Sequence, residues 1–348
     1  MLNKDIIYCH EMLLQVSRTF APTIRLLPKP LNLYVNVAYL LCRIADTVED
    51  SPALSVEQKQ DMLTTYTNIF SADNKTAEAK FTANIQLLPG TSKDDELAFN
   101  TQRVLNVFQS FSPLMQKHIG RWVVEMSLGM RKYAQSRQKR SFAFLDSMKE
   151  LDEYMYYVAG TVGYLLTELF SFYSRKITPA LKSRLELVAE SFGKGLQLVN
   201  IIRDMSGDLR RGQSYIPDEL LKKYKLTRQT IFEQKNAARA EEMFNELIAR
   251  AVGYLDKALD YILLIPRKEL RIRLFCMLPL FWAMRTLQKI QSNTLALLGS
   301  EKVKISRSLI RREYFLALIN MRSNHLMRRH YFKIRKDFKA ALPETVLT

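Results

Sequence analysis

Apolar residues recur along most of this chain at the three- and four-residue spacing of an α-helix. A helix with that spacing is apolar on one face, and it becomes stable when this face is buried against other helices. No long stretch alternates apolar and polar residues between hairpin turns, which is the pattern of a strand. The sequence therefore predicts an all-α protein whose main helices cover residues 31–50, 56–70, 96–108, 113–133, 152–173, 179–206, 235–264, 268–297 and 306–330.

Residues 71–93 interrupt this pattern. They are mostly polar and include the pair Pro89 and Gly90, so we predict a long surface loop there. The chain has 348 residues, 47% of them hydrophobic, which is enough apolar material for a large helical core. The three cysteines are far apart in the sequence, so we expect neither a disulfide framework nor a zinc site.

The chain is strongly basic, with 52 Lys and Arg against 35 Asp and Glu and a formal net charge of +17. Between Lys302 and Ala340 there are 12 basic residues and 2 acidic ones. Such a segment suits nucleic acid, anionic lipid headgroups or an anionic substrate. Because the chain shows no base-stacking platform and no helix-turn-helix pattern, we expect no nucleic-acid partner.

The sequence also bears on membrane insertion. The longest apolar run, residues 274–284, is shorter than the roughly 20 residues of a spanning helix. The N-terminus does not show a basic region followed by an apolar one, the pattern of a secretory signal. We therefore expect a cytoplasmic protein that is not integral to a membrane.

A first acidic segment, Asp46, Glu49 and Asp50, ends a helix that is otherwise apolar. Residues three and four apart lie on one helix face, so these like charges repel one another. Solvent or a bound cation must compensate them. An exposed acidic helix end would explain the segment equally well.

A second acidic segment contains Asp204 and Asp208. Together with Gln197 and Asn200 they form a polar stripe at helical spacing among apolar neighbours. Unpaired buried polar groups cost about 1–3 kcal/mol each, so such a stripe is expected to line a cavity or meet partners. Two helices with paired carboxylates can face one another across a cleft. With arginines near both segments, the pattern indicates Mg²⁺-assisted departure of a diphosphate.

Four ordered motifs, spanning roughly residues 10–300, resemble the squalene/phytoene synthase family. The first has Ser17, Arg18 and Phe20 followed by Tyr39, Arg43 and the first acidic segment. The second is the Tyr-rich run from Tyr154 to Gly163. The third has Gln197, Asn200, Arg203 and the second acidic segment, followed by Arg211, Gly212 and Tyr215, and the fourth begins at Phe275.

This resemblance implies the isoprenoid synthase fold, all-α, with helices around a central apolar active-site cavity. It implies a catalytic domain over residues 1–300, and we expect a basic helical extension over 301–348. The implied reaction is head-to-head condensation of two farnesyl diphosphates to presqualene diphosphate, followed by NADPH-dependent reduction to squalene. The alternatives are a non-reductive synthase that makes dehydrosqualene or phytoene, and a non-catalytic binding or assembly protein of the same fold.

The resemblance also implies roles for individual residues. The expected Mg²⁺ ligands are Asp46, Glu49, Asp50, Asp204 and Asp208, and Tyr154 is expected to assist in handling the carbocation. The polar residues expected to contact substrate are Ser17, Arg18, Tyr39, Arg43, Gln197, Asn200, Arg203, Arg211 and Tyr215. Phe20, Val158, Val162 and Phe275 would line a tunnel for the prenyl chains, although plain core packing would explain each of them.

The hydride donor would bind through Asn200, Lys304 and Arg307. This basic strip departs from the family pattern, because Ser306 stands where the second basic residue is expected. Further along, apolar residues interleave with arginines. The basic C-terminal region is therefore expected either to lie on an anionic membrane surface or to pack on the body of the protein. The first alternative would give peripheral association with the inner face of the membrane. We expect a monomer.

Overall fold

A computed structural model describes residues 2–17, 19–71, 75–138, 143–210, 212–299 and 302–338. Nearly all of them lie in helices. These are α1 (Leu2–Val16), α2 (Phe20–Ile24), α3 (Leu31–Asp50), α4 (Val56–Asn68), α5 (Lys75–Asn84), α6 (Lys93–Phe99), α7 (Thr101–Gln109), α8 (Pro113–Gln138), α9 (Met148–Met155), α10 (Thr161–Tyr173), α11 (Pro179–Arg210), α12 (Asp218–Lys223), α13 (Ala237–Leu264), α14 (Leu270–Ser292), α15 (Arg307–Asn320) and α16 (Asn324–Arg335).

Short segments join these helices. Tyr156–Gly160 is a π-helix between α9 and α10. Four 3₁₀ turns cover Ile85–Leu87, Thr230–Phe232, Gln234–Asn236 and Thr294–Leu298. Two strands of two residues each, β1 (Ala143–Phe144) and β2 (Gln213–Ser214), pair in parallel. Within the described residues, no helix combines the length and the apolar composition needed to cross a bilayer.

The predicted all-α class is confirmed, and the 31–50 helix has the predicted bounds. Other predicted helices are divided: 96–108 breaks at Asn100, and 306–330 breaks between α15 and α16. The predicted loop over 71–93 is wrong, because α5 and a 3₁₀ turn lie within it. Phe81 explains the difference: its ring is fully buried and lies 4.9 Å from the ring of Tyr66, so one aromatic anchor holds a mostly polar helix.

The described helices divide into two compact units, Met1–Ser141 with Tyr164–Arg175, and Phe142–Gly163 with Lys176–Thr348. In the first unit, α3 is the central helix, and thirteen of its 20 residues are buried. The Tyr66 hydroxyl on α4 donates a hydrogen bond to the carbonyl of Leu41 on α3, at 2.8 Å. Ser55 and Gln58 form a capping box that satisfies backbone N–H groups at the start of α4.

In the second unit, the long helix α11 packs on α13 and crosses the π-helix closely. A Cβ atom added at Gly193 would lie 2.0 Å from the carbonyl oxygen of Ala159, and one added at Gly163 would lie 2.0 Å from that of Ala189. Both glycines are therefore required for the two helices to approach this closely. Gly193 was not singled out from the sequence.

The C-terminal helices are attached to the second unit through Arg273. This side chain is fully buried and donates to the carbonyl oxygens of Ile262, Ile265 and Met321 and to Oδ1 of Asn324. It thus caps the C-terminal end of α13 and ties the turn between α15 and α16 to it.

Candidate functional site

The first acidic segment lies at the C-terminal end of α3, next to a pocket of about 260 Å³. Asp46 and Asp50 both line this pocket, as the helical spacing predicts. Glu49 is only 3% exposed and is not part of the lining. The remaining lining residues come from the end of α3 and from the turn that begins α6: Arg43, Thr47, Ser51, Pro52, Pro89, Thr91, Ser92, Asp94 and Asp95.

Arg43 lies between two carboxylates in this pocket. Its Nε donates to Oδ1 of Asp94 at 2.8 Å, and its Nη2 donates to Oδ2 of the same residue at 3.1 Å. Its Nη1 lies 3.8 Å from Oδ2 of Asp46, close enough for an ion pair. Asp94 is 51 residues from Arg43 in the sequence, and sequence reasoning missed it because nothing local connects the two.

The electrostatic state of Asp46 follows from this crowding. The pKa of Asp46 is raised to about 8, chiefly by burial; Arg43 opposes this rise, and the neighbouring carboxylates of Asp50, Glu49 and Asp94 add to it. A carboxyl group with this pKa is largely protonated at neutral pH unless a cation favours its charged form. A cation bound in the pocket would therefore favour the charged form of Asp46 and lower its pKa.

Ser17, Phe20 and Tyr39 lie together within the first unit, and Tyr39 is one helical turn before Arg43 on the same face of α3. Ser17 is buried, and its hydroxyl oxygen accepts a hydrogen bond from the backbone N–H of Phe20 at 3.1 Å. The rings of Phe20 and Tyr39 are 6.1 Å apart. Burial raises the pKa of Tyr39, against the opposing effect of a hydrogen bond with Ser17, so the phenol is neutral at neutral pH. Arg18 lies outside the described residues.

The second acidic segment lies near the C-terminal end of α11. Gln197, Asn200 and Asp204 are half-buried, whereas the residues between them are mostly buried, so the predicted polar stripe is present on this helix. Asp208 continues the stripe and is 7% exposed. Arg211 lies outside the described residues.

Asp204 is paired with two cations. Nη2 of Arg203 donates to its Oδ2 at 2.6 Å, and Nζ of Lys302 lies 3.1 Å from its Oδ1. Burial tends to raise the pKa of Asp204, but the hydrogen bonds and charges of Arg203 and Lys302 outweigh burial, and the pKa is lowered. Asp204 is therefore charged at neutral pH.

Side-chain hydrogen bonds from α11 hold the chain three residues before Lys302. Ser206 and Arg210 on α11 both donate to the carbonyl oxygen of Gly299, at 2.7 Å. Sequence reasoning did not select Lys302, although it selected its neighbours Lys304 and Arg307 for the hydride donor. The side chains of Lys304 and Arg307 are exposed, and Nζ of Lys289 donates to the carbonyl oxygen of Lys304.

Tyr154 is 5% exposed and stacks on Tyr215, with ring centroids 4.9 Å apart and an interplanar angle of 22°. The turn that carries Tyr215 is held by the β1–β2 pair and by the backbone hydrogen bond from Asp218 to Leu145. Gly212 begins this turn with φ at 72°, a value that favours glycine. Local structure therefore brings together two of the predicted site residues.

The predicted tunnel residues differ in exposure. Phe275 is 5% exposed, while Val158, Val162 and Phe20 are half-buried. Val158 lies in the π-helix, a rare geometry that is frequent at functional sites. Phe275 is therefore packed in the core, whereas the other three side chains keep part of their surface accessible.

The carboxylates of the first pocket fit Mg²⁺ by their chemistry. Across the described parts of the chain, no three His, Cys, Asp or Glu side chains are grouped so as to form a metal site by themselves. Mg²⁺, however, usually takes one or two carboxylates and completes its octahedron with water and phosphate oxygens. Asp46 and Asp50 supply two oxygen-donor groups in one pocket, and a bound cation would offset the burial that raises the pKa of Asp46.

Comparison with known proteins decides the family. The profile of the squalene/phytoene synthase family matches residues 13–308, which is most of the chain. The chain belongs to the squalene/phytoene synthase family. Among curated relatives, the squalene synthase of Candida albicans is 29% identical over 87% of this chain. That match spans 65% of the length of the Candida albicans protein, so this chain corresponds to under two thirds of it.

Solved structures agree on the fold of this squalene/phytoene synthase family member. TcSQS, determined with the ligand BPH1237, superposes with a TM-score of 0.80 at 22% identity, covering 98% of this chain and 94% of TcSQS. A dehydrosqualene synthase determined with a ligand superposes with a TM-score of 0.62 at 20% identity, covering 95% and 98% of the two chains. The expected all-α isoprenoid synthase fold is therefore confirmed.

Proposed function

We propose that this chain is a prenyltransferase that condenses two farnesyl diphosphates head to head to presqualene diphosphate and then reduces this intermediate with NADPH to squalene. The observation that carries the proposal is the pocket in which Asp46, Asp50 and Arg43 meet, in a chain whose family match covers residues 13–308. Carboxylates and an arginine in one pocket suit a magnesium diphosphate, because the carboxylates bind the metal and the guanidinium binds phosphate oxygens.

The chain's own residues would contribute binding, charge and exclusion of water. Asp46, Asp50, Asp204 and Asp208 are the proposed metal ligands, while Glu49 stays a prediction because it is 3% exposed and does not line the pocket. When bound, Mg²⁺ would supply Lewis-acid assistance to the departure of diphosphate. Arg203 and Lys302 lower the pKa of Asp204, so its carboxylate is charged at neutral pH, as a metal ligand must be. Arg43 retains one nitrogen, Nη1, that is not bonded to Asp94 and is available to a phosphate oxygen.

Tyr154 is proposed to stabilise the allylic cation through the face of its ring. A phenol with a pKa near 10 is a poor base at neutral pH, so its electron-rich ring is the more effective group. The stack on Tyr215 fixes the orientation of this ring. The departing diphosphate would accept the proton that is lost when the cyclopropane closes.

The reductive half of the reaction is the finer part of the proposal. Asn200, Lys304 and Arg307 are proposed to bind NADPH, and the exposure of Lys304 and Arg307 leaves both side chains accessible to its phosphate. The alternative product is dehydrosqualene or phytoene, which needs no hydride. The similarity to a dehydrosqualene synthase of known structure is the reason to test this alternative directly.

The test is incubation of the purified chain with farnesyl diphosphate and Mg²⁺, with and without NADPH, followed by mass spectrometry of the products. We expect squalene only when NADPH is present. Dehydrosqualene in both reactions would replace the reductive proposal by the non-reductive one. No consumption of farnesyl diphosphate in either reaction would refute both and favour a non-catalytic protein.

Substitution of the proposed ligands provides the second test. Asp50→Asn and Asp204→Asn should each lower turnover by at least about 100-fold, because an amide is a weaker ligand for Mg²⁺ than a carboxylate. The matched control is Asp61→Asn, an exposed acid-to-amide change on α4 at a residue paired with Lys80, and it should retain full turnover.

We also propose that the basic C-terminal region, residues 301–348, docks on an anionic membrane surface. On α15, Phe315 and Ile319 are 63% and 65% exposed, four residues apart on one face, and Phe332 on α16 is 46% exposed. Exposed Arg311 and Arg312 precede this apolar pair. Apolar side chains beside arginines are typical of a helix that lies in the headgroup region of anionic lipids.

The membrane proposal is tested by sedimentation with phosphatidylserine-containing vesicles. Phe315→Ser combined with Ile319→Ser should lower the bound fraction at least fivefold, while Leu187→Ser, at an 82% exposed leucine of α11, should not change it. Equal sedimentation of the double variant and the parent chain would refute membrane docking by this face.

A further inference from the structure

Asp94 is a residue of the first pocket that none of the sequence motifs includes. It lies in the first turn of α6, a helix anchored by the fully buried Leu97 and Ala98. A capping box holds this turn: the backbone N–H of Asp95 donates to Ser92 Oγ at 3.0 Å, and the N–H of Ser92 donates to Asp95 Oδ2 at 3.0 Å. The Asp94 carboxylate is therefore presented to the pocket from a well-ordered turn.

Asp94 and Arg43 form a bidentate salt bridge. Nε and Nη2 of Arg43 donate to the two oxygens of Asp94, which is the strongest geometry available to a guanidinium and a carboxylate. The side chains are 33% and 32% exposed, so both partners remain accessible from the pocket.

Arg43 has a competing partner on its own helix. Asp46 is three residues further along α3, a spacing at which an arginine and an aspartate normally pair. Here the nearest nitrogen of Arg43 is 3.8 Å from Asp46, which is beyond hydrogen-bond length. The guanidinium thus lies near Asp46 without occupying its oxygens.

We propose that Asp94 is a positioning residue that holds Arg43 away from Asp46 and so leaves the Asp46 oxygens available to a divalent cation. This inference rests on the proposed function of the pocket. Without Asp94, Arg43 would turn to Asp46 and compete with the cation for the same carboxylate. Loss of a residue that orients a metal-binding group lowers metal affinity by about 10–100-fold.

The test measures binding of Mn²⁺ alone, as a spectroscopic substitute for Mg²⁺, by electron paramagnetic resonance. Asp94→Asn should raise the Kd for Mn²⁺ at least tenfold, and the control Asp61→Asn should leave it within twofold of the parent chain. Arg43→Gln in the Asp94→Asn background removes the competing guanidinium. The Kd of this double variant should therefore return to within threefold of that of Arg43→Gln alone.

The rescue separates competition from a general loss of structure. If Asp94 only stabilised the fold, the double variant would bind Mn²⁺ as weakly as Asp94→Asn, and the proposal would be overturned. An unchanged Kd for Asp94→Asn would also overturn it, as would the absence of Mn²⁺ binding by the parent chain. Product formation from farnesyl diphosphate is measured separately, so a chain that makes product but lacks the rescue refutes the positioning role alone.

Discussion

Replacement of Gly193 by alanine should destabilise the chain strongly, although alanine is the better helix former. The added Cβ would lie 2.0 Å from the carbonyl oxygen of Ala159 and 3.0 Å from the backbone nitrogen of Gly160, both in the π-helix. Backbone atoms cannot rotate away, so α11 and the π-helix would have to separate by about 1 Å. Overpacking of this kind costs about 3 kcal/mol, and the helix preference of alanine returns about 1 kcal/mol.

The net destabilisation is therefore about 2 kcal/mol, which corresponds to a decrease in Tm of roughly 3 °C for a chain of this size. Circular dichroism at 222 nm during heating measures this Tm. The matched control is Gly195→Ala, two residues along the same helix, where the added Cβ would meet the side chains of Leu255 and Tyr254 at 3.0–3.1 Å. Because the Leu255 methyl group can rotate away and the Cβ of Tyr254 at 3.1 Å needs only a small shift, Gly195→Ala should change the Tm by less than half as much. Equal Tm values for the two variants would refute the reasoning.

Two further predictions concern buried charges in the second unit. Burial tends to raise the pKa of Glu313, but hydrogen bonds from His330 and Arg285 outweigh it and lower the pKa below the ordinary value of 4.5. The charged Glu313 therefore stabilises the fold above about pH 4.5, and this stabilisation is lost as the pH falls through the folded-state pKa. Glu313→Gln should lower the Tm at pH 7 but flatten the decrease of the Tm below about pH 4.5. Parallel curves of Tm against pH for the variant and the parent chain would contradict this. Arg273→Met removes the hydrogen-bond donors to Ile262, Ile265, Met321 and Asn324. It should speed proteolytic cleavage in the turn between α15 and α16 at least tenfold, as measured on timed gels. An unchanged cleavage rate would show that Arg273 does not hold these helices.

The helices and the faces of their acidic residues could be predicted from the sequence because both depend on neighbours a few residues away. The spacing of apolar residues predicted the bounds of α3. The four-residue spacing of Asp46 and Asp50 predicted that both lie on one face of this helix, and both line the pocket. The polar stripe of α11 follows from the same geometry. The family resemblance was equally visible in the sequence, since it rests on ordered motifs.

The sequence failed where a long-range contact outweighs local composition. The segment that contains α5 is polar enough to read as a loop, but the burial of Phe81 against Tyr66 makes it a helix. Helix α1 was not predicted either, although its buried residues Tyr8, Cys9, Met12 and Leu13 have the spacing of a helix.

Local patterns determined which side chains share a helix face, and the tertiary structure alone decided which charge lies beside which. Arg43 is bound by Asp94 rather than by its helical neighbour Asp46, and Asp204 is bound by Lys302 as well as by its own neighbour. Gly193 is required because another helix passes within 2.0 Å of the position of its missing Cβ. The physical reason is common to these cases: side-chain periodicity acts over about four residues, whereas ion pairs and close crossings join atoms that only packing brings together.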